Sequence, residues 1–573
     1  MIETSNRRAF LVTVTVTLAL ALGSLFALGS QTPPSFDVIV AGGRIVDGTG
    51  APWFVGDVGI TDGRIAAMGR LGGARAARRI DARSLVVAPG FIDMLGQSEF
   101  SILVDPRAAS KIMQGITTEV TGEGNSIAPV NARMMKARAA SYEQAGVEQD
   151  FRTLAEYFRR IETRSRPTIN IATFVGSGGV RDYVIGREDR PATADELDAM
   201  KRLVAQAMEE GALGLSSSLQ YVPNRFASTD ELVALASVAA SYGGIYITHQ
   251  RSEANLIFES LDEVFSIAER AHIPAEVWHL KTAYKANWGK MGAVLERFEA
   301  ARARGLDVSA NQYPYDRASN NLDACLPVWA REGGTEAMIA RLHDPSQRER
   351  IKKEMADPNI TEWENQWYGS GGAEGVMVSS VLDPALRHWE GKSLAEIGRE
   401  MGKDPRDALM DLVIADHAET SCIISIMTED DVRTALKHPL VSIDTDSSAR
   451  AEDGPLSESK SHPRAWGTFA RILGKYVREE KLLTLEEAVR KMTSRPATRV
   501  GLQDRGILRP GMAADITVFD PETIEDLATF QNPNRYSVGV HYVFVNGRAV
   551  VYDGKITDER PGRVLRGPGY RGP

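Results

Sequence analysis

Two histidines follow predicted β-strands at positions where a metal ion could bind. His249 ends the apolar stretch GIYITHQ (244–250), and His279 lies near the end of PAEVWHLK (274–281). They are separated by about one strand-helix unit, so we expect them on neighbouring strands. Neutral imidazoles are common ligands of zinc and related metals. The pair therefore predicts a metal centre.

An acidic residue could complete that centre. Glu123 follows the predicted strand ITTEVTG (116–122) and lies between Gly122 and Gly124. Glycines allow the backbone to approach another group closely. Glu123 is therefore a candidate third ligand, although a solvated loop glutamate would give the same pattern.

A second acidic pair follows the stretch LVSIDTDS (440–447). Asp446 is a candidate proton-transfer group at the end of the last strand. Asp444 lies two residues earlier on the same face and is the competing candidate. By the same alternation, Arg251 should point with His249, and Lys281 with His279.

The elements that must position these side chains alternate between apolar strands and helical stretches, which is typical of βαβ units. The predicted strands are 89–93, 116–122, 170–176, 211–217, 244–250, 274–281, 306–315 and 440–447. Eight such units predict an α/β fold, a TIM (β/α)8 barrel over residues 89–500 with its site at the carboxyl ends of the strands. Residues 325–395 are expected to form an insertion over the barrel mouth.

Short alternating strands with Gly and Asp turns flank this barrel. They cover residues 36–88 and return at about 501–560. The two segments predict one small β-sandwich formed from both chain ends.

The first 30 residues resemble a signal peptide. Arg7-Arg8 precedes the apolar run Leu11–Leu28, and small residues suggest cleavage before Gln31. The interpretation is export, by a twin-arginine route, to the periplasm or the cell exterior. An uncleaved anchor helix is the alternative.

Composition narrows the function further. The 573 residues are 25% charged with a formal net charge of −9, and no basic run suggests nucleic acid. A small-molecule substrate is therefore favoured. Cys325 and Cys422 are expected to be free thiols in the core.

From about residue 36 to 570, the chain resembles the D-aminoacylase (N-acyl-D-amino-acid deacylase) family of amidohydrolases. The similarity rests on several motifs together: PGFID, QGITTEVTGEGNSIAP, YITHQRSE, HLK, YPYD, SHPRAWGTFAR, KMTSRPA and DRGILRPGMAADITVFD. It implies a small β-sandwich joined to a distorted TIM barrel. It also implies zinc-dependent hydrolysis of N-acyl amino acids, with D-amino acids the expected substrates.

The resemblance places the main metal on Glu123, His249 and His279. Glu123 stands where the family has cysteine, which gives a harder site that suits Zn²⁺ and would tolerate Co²⁺ or Mn²⁺. The family's second metal uses a His-x-His motif after PGFID, and Leu95 and Gln97 occupy those positions. We therefore expect one metal per chain.

The remaining functional residues also follow from the resemblance. Asp446 matches the catalytic aspartate, and Tyr221 matches a tyrosine that polarises the carbonyl. The family motif YPYxAxS corresponds to residues 313–319, which implies substrate-binding roles for Tyr313 and Ser319. Arg317 stands in the place of the family's alanine and adds a positive charge that could bind substrate.

A positively charged side chain should bind the substrate carboxylate. The candidates are Arg251, Lys281 and Arg317. Lys281 could instead support a metal ligand, and Arg317 could lie on the surface. Two other functions stay open: a non-catalytic ligand-binding relative, and a related cyclic amidase or dipeptidase.

Overall fold

A computed structural model describes residues 35–360, 363–458 and 460–572. The predicted signal segment, residues 1–30, lies outside the described residues. Within the described ranges, none of the helices has the length and apolar character needed to cross a bilayer.

The first described strands form one half of a mixed sheet. They are β1 (Ser35–Ile45), β2 (Phe54–Thr61), β3 (Arg64–Gly69), β4 (Arg75–Asp81) and β5 (Val86–Pro89). β1 pairs antiparallel with β2 and parallel with both β4 and β5. Val40 and Ile45 of β1 and Val58 and Ile60 of β2 are buried in one apolar cluster, so one face of this sheet packs inward.

The next strands alternate with helices, as the sequence predicts. They are β6 (Phe91–Asp93), β7 (Ile116–Thr121), β8 (Asn170–Thr173), β9 (Val175–Gly176), β10 (Gly214–Ser218), β11 (Ile245–His249), β12 (Ala275–Val277) and β13 (Val308–Gln312). Their residues are buried throughout, as expected for parallel strands covered on both faces.

Helices cover the outside of these strands or connect them. In this part of the chain they are Ser101–Val104, Ala109–Ile112, Ala132–Gln144, Leu154–Arg160, Ser177–Val184, Ala194–Glu210, Thr229–Ser241, Ile257–Arg270 and Met291–Ala303. Thr193 begins the helix Ala194–Glu210 with a capping box to Glu196, and Gly211 ends it in a left-handed conformation.

A separate unit is inserted after β13. Its strands are β14 (Arg317–Asn321), β15 (Val376–Ser380) and β16 (Ser421–Ser425), paired antiparallel in the order β14-β16-β15. Its helices are Val328–Arg331, Thr335–His343, Pro345–Met355, Gln366–Gly369, Leu394–Met401 and Pro405–Ala415. The insertion thus extends beyond the predicted range 325–395 on both sides, because β14 and β16 pair with each other.

The chain then returns to the barrel through the helix Glu429–Lys437 and strand β17 (Val441–Ile443). β17 pairs parallel with β13, and the parallel sheet runs on through β12, β11 and β10 to β9. β6, β7 and β8 form a second parallel arc. The two arcs meet where the nitrogen of Met94 donates to the oxygen of Ile443 at 3.4 Å, so the strands form a TIM-barrel-like domain.

The last elements return the chain to the first sheet. Three helices come first: Arg464–Arg471, which a π-helical segment (Ile472–Glu479) continues, Leu485–Met492 and Ser494–Arg499. Four strands follow: β18 (Ile516–Phe519), β19 (Val540–Val545), β20 (Arg548–Tyr552) and β21 (Lys555–Ile556). β18 pairs antiparallel with β5, so both ends of the described chain belong to one sheet.

Candidate metal centre

Three potential ligand atoms face one another at the carboxyl ends of β7, β11 and β12. His249 Nδ1 lies 3.1 Å from Glu123 Oε1 and 3.0 Å from His279 Nε2, and His279 Nε2 lies 3.3 Å from Glu123 Oε1. Tetrahedral ligands about 2.0–2.1 Å from a zinc ion would lie roughly 3.3 Å apart. The donor set and its spacing therefore fit zinc.

Glu123 reaches this position because of the two glycines beside it. Gly122 and Gly124 have φ angles of 97° and 60°, in the left-handed region. A Cβ on Gly122 would lie 2.5 Å from the carbonyl oxygen of Phe174, and one on Gly124 would lie 2.3 Å from the Cβ of Ser218. Only glycine allows this close approach.

His279 and Asp446 have an unusual backbone conformation. Their φ angles are 35° and 42°, which non-glycine residues seldom adopt. The nitrogen of His279 donates to Oδ1 of Asn311 at 2.8 Å, and the nitrogen of Asp446 donates to the oxygen of Leu95 at 2.8 Å. Backbone strain of this kind concentrates at functional sites.

A buried carboxylate, Glu253, supports His279 from behind. Glu253 Oε1 lies 3.1 Å from His279 Nδ1 and accepts a 2.6 Å hydrogen bond from Lys281 Nζ. Its other oxygen lies 3.9 Å from Nε2 of His249. When Nδ1 of His279 donates to Glu253, the lone pair of Nε2 is directed to the ligand cluster.

The charges of the cluster depend strongly on one another. Burial alone would raise the pKa of Glu123, but its hydrogen bonds to His249 and His279 hold that pKa well below its usual range. Burial and Lys281 oppose protonation of His279, yet Asp446, Glu253 and Glu123 raise its pKa to about 10. Without a metal, the neighbouring carboxylates therefore favour the protonated form of His279.

Gln97 lies on the other side of Glu123. Its amide nitrogen donates to Glu123 Oε2 at 2.5 Å and lies 3.4 Å from Asp446 Oδ1. Leu95, by contrast, packs with Trp278 in the apolar interior of the barrel. An amide and an aliphatic side chain thus occupy the positions of the missing His-x-His pair.

Asp446 faces the cavity and contacts an arginine. Asp446 Oδ2 lies 2.8 Å from Nη1 of Arg464, whose guanidinium stands 4.5 Å from the ring centroid of Tyr313. Asp444 is fully buried and outside the cavity lining, and burial raises its pKa well above the usual range. Of the two acids, only Asp446 therefore lines the cavity.

The metal cavity, as we call the space around the cluster, has a volume of about 300 Å³. Tyr221, Lys281, Tyr313 and Ser319 all contribute to its lining. Tyr221 packs edge-on against His249 and accepts a 3.2 Å hydrogen bond from Asn320. The hydroxyl of Tyr313 has no hydrogen-bond partner among the described residues, so it is free to bind a substrate.

Two of the arginines predicted to bind substrate lie outside the metal cavity, and their substrate-binding role stays a prediction. Strand β11 ends at His249, so the alternation does not continue to Arg251, which instead forms a 2.8 Å ion pair with Glu263. Arg317 stacks over Phe530 at 4.5 Å. Neither guanidinium lines the metal cavity.

Sequence reasoning also missed two residues that the structure brings to the site. Arg464 lies within SHPRAWGTFAR, and its ion pair with Asp446 could not be inferred from that motif's spacing. Glu253 follows His249 by four residues in YITHQRSE. A carboxylate so near a candidate ligand was a usable signal for a supporting residue.

Comparisons with known proteins identify related sequences. A model described as "Amidohydrolase family" matches residues 397–551. N-acyl-D-glutamate deacylase of Alcaligenes xylosoxydans xylosoxydans is 36% identical over 92% of this chain and 96% of its own length.

Solved structures show the same similarity. One is N-acyl-D-glutamate deacylase from Bordetella bronchiseptica, complexed with zinc and a phosphonate mimic of the tetrahedral intermediate. It is 33% identical in sequence and superposes with a TM-score of 0.75, and the match covers 93% of this chain and 100% of that chain. The other is a D-aminoacylase with a binuclear metal centre, in which one metal activates and the second attenuates. Its identity, TM-score and coverage are the same.

Proposed function

The chain belongs to the D-aminoacylase (N-acyl-D-amino-acid deacylase) family of amidohydrolases, and from this premise we propose that it is a mononuclear zinc amidohydrolase. Its substrates would be N-acyl-D-amino acids, hydrolysed to a carboxylate and a free amino acid. The observation that carries the proposal is the convergence of Glu123, His249 and His279 beside Asp446 on one cavity.

Glu123, His249 and His279 would hold the zinc ion, since their three ligand atoms have the spacing of a tetrahedral site with one position left for solvent or substrate. When bound, zinc supplies the Lewis acidity that lowers the pKa of a water molecule and polarises a carbonyl. Glu253 would keep the imidazole of His279 in the orientation that this ligation needs.

Asp446 would transfer the proton. It would accept the proton of the attacking water and return it to the departing amine, as a general base and then a general acid. Its ion pair with Arg464 at 2.8 Å fixes the carboxylate towards the cavity. Tyr221 would donate a hydrogen bond to the oxygen of the scissile carbonyl as negative charge develops there.

Arg464, Lys281 and Tyr313 would bind the free carboxylate of the substrate. All three line the metal cavity, and the two cations flank the Tyr313 ring at 4.5 and 5.6 Å. Charge-assisted hydrogen bonds there would orient the amide for attack. Arg464 thereby takes the role that the sequence suggested for Arg251 or Arg317.

We also propose a role for the sheet formed by both chain ends and for the N-terminal segment. The sheet shared by both chain ends would be the small β-sandwich of the family, packed beside the barrel. Residues 1–30 would direct export of the protein.

Metal analysis together with a substrate panel tests the proposed function. The purified protein should contain about one zinc per chain and hydrolyse N-acetyl-D-amino acids faster than the L-enantiomers. His279→Ala should lose both the metal and the activity, whereas His272→Ala, at an exposed position away from the site, should keep both. A zinc-loaded protein that hydrolyses no N-acyl amino acid would disprove the proposal.

A further inference from the structure

A second, larger cavity adjoins the metal cavity. This outer cavity has a volume of about 1380 Å³, against about 300 Å³ for the metal cavity. Cavities that bind small organic ligands usually measure about 300–1,000 Å³. The outer cavity therefore has room for a much larger group than an acetyl.

The two cavities share part of their lining. The residues common to both are Gln220, Tyr221, Tyr284, Glu364 and Gln366. Gln220 and Glu364 are hydrogen-bonded to each other through their side chains at this boundary. A substrate bound in the metal cavity could thus extend past Tyr221 and Tyr284 into the outer cavity.

Much of the outer cavity is apolar and aromatic. Trp363 and Trp367 of the inserted unit line this space together with Leu256 and Trp288 of the barrel loops. Leu256 and Trp288 are 49% and 39% exposed, so they present apolar surface to this space. Burying them against a ligand would be favourable, so an alkyl or aryl group suits this surface.

The lining also shows which end of a substrate would enter. Arg464, Lys281 and Tyr313, which would bind the carboxylate, line the metal cavity alone. Tyr221, which would contact the scissile carbonyl, lies at the boundary. The group attached to that carbonyl, rather than the amino-acid carboxylate, therefore points towards the outer cavity.

We propose that the outer cavity binds the acyl group of the substrate, and that the preferred substrates carry long alkyl or arylalkyl acyl chains. This inference rests on the proposed deacylase function. It names a substrate class that the metal centre alone does not define.

Specificity constants for N-acetyl, N-octanoyl and N-phenylacetyl derivatives of one D-amino acid test the inference. Because burial of the additional methylenes is favourable, kcat/KM for the octanoyl substrate should exceed that for the acetyl substrate by at least about tenfold. Leu256→Asp should remove most of this preference, by lowering kcat/KM for the octanoyl substrate far more than for the acetyl substrate. Leu382→Asp, a matched change at an apolar residue that is 45% exposed and outside the cavity, should have no effect.

The possible failures can be told apart. If the wild-type protein turned over none of the N-acyl substrates, the deacylase function itself would be contradicted. Efficient acetyl hydrolysis with no gain for octanoyl or phenylacetyl would overturn the acyl-cavity inference alone. The acyl-cavity inference would also be overturned if the effect of Leu256→Asp on kcat/KM varied with the amino-acid side chain while the acyl group was kept constant.

Discussion

Gln97 donates a 2.5 Å hydrogen bond to Glu123, the carboxylate whose other oxygen faces the two histidines. The amide therefore satisfies the oxygen that points away from the ligand cluster, next to Asp446. An amide nitrogen carries no lone pair for a metal, so this position cannot supply the ligand that a histidine would.

The Gln97 contact predicts the metal stoichiometry. The wild-type protein should bind one zinc even in excess zinc, and its activity should not decline as zinc is added. Gln97→His should bind a second, weaker zinc beside Asp446 and lose activity several-fold in excess zinc. Metal analysis after gel filtration and rates over a zinc titration check both, and a second zinc in the wild type would contradict the prediction.

The pKa of His279 predicts proton release on metal binding. In the metal-free protein its pKa is about 10, so His279 carries a proton at pH 7.5 that zinc must displace. The apparent zinc affinity should therefore rise about tenfold for each pH unit between pH 6 and 9. A pH indicator in weak buffer should record about one proton per zinc bound. Metal uptake without proton release would show that His279 is neutral beforehand.

Glu253 is expected to control metal affinity through the histidines. Glu253→Gln removes the charge that orients His279 and holds Lys281, so zinc affinity should fall by about 10- to 100-fold. Competition with a chelator measures this affinity independently of activity. Glu269→Gln, at an exposed helix position, is the matched control and should bind zinc as tightly as wild type.

Asp446→Asn should separate catalysis from metal binding. The asparagine keeps the shape of the side chain but cannot accept the proton, so kcat should fall by about 10²- to 10⁴-fold while zinc content is unchanged. Asp444→Asn replaces a fully buried acid outside the cavity and should retain most of the activity. The reverse pattern would assign the proton transfer to Asp444.

Glu364 predicts how stability depends on pH. Burial raises its pKa to about 7, above the usual value near 4.5. Between these pH values the native state holds a proton that the unfolded state has lost, so stability should decrease as pH rises from about 4.5 to 7. Glu364→Gln should remove this part of the decrease in the free energy of unfolding. It amounts to ~2 kcal/mol once the partial exposure of the Glu364 side chain is allowed for. Urea unfolding of the wild type and the variant at pH 5 and pH 8 measures this difference. The same change in unfolding free energy with pH in both proteins would contradict the prediction.

Much of the barrel could be predicted because strand-helix alternation is a local property of the sequence. The similarity of the motifs to the deacylase family is confirmed by relatives that cover nearly the whole chain. The roles of Glu123, His249, His279 and Asp446 stay predictions, although the structure places them together.

Side-chain direction beyond the strand ends was harder to predict. β11 ends at His249, so alternation does not extend to Arg251, which pairs with Glu263. Arg464 comes from a helix after the last barrel strand, and its approach to Asp446 is fixed only by tertiary packing. The insertion was underestimated because its strands β14 and β16 pair across about a hundred residues of intervening chain.

The pairing of β5 with β18 has a consequence for synthesis. Residues 86–89 pair with β1 on one side, but their antiparallel partner on the other side exists only once residues 516–519 have been made. A growing chain on the ribosome therefore presents β5 as an open sheet edge, which is prone to pair with other chains, until translation is almost complete. Folding of this sheet must be largely post-translational, and premature termination before residue 516 should yield aggregates rather than a smaller folded protein.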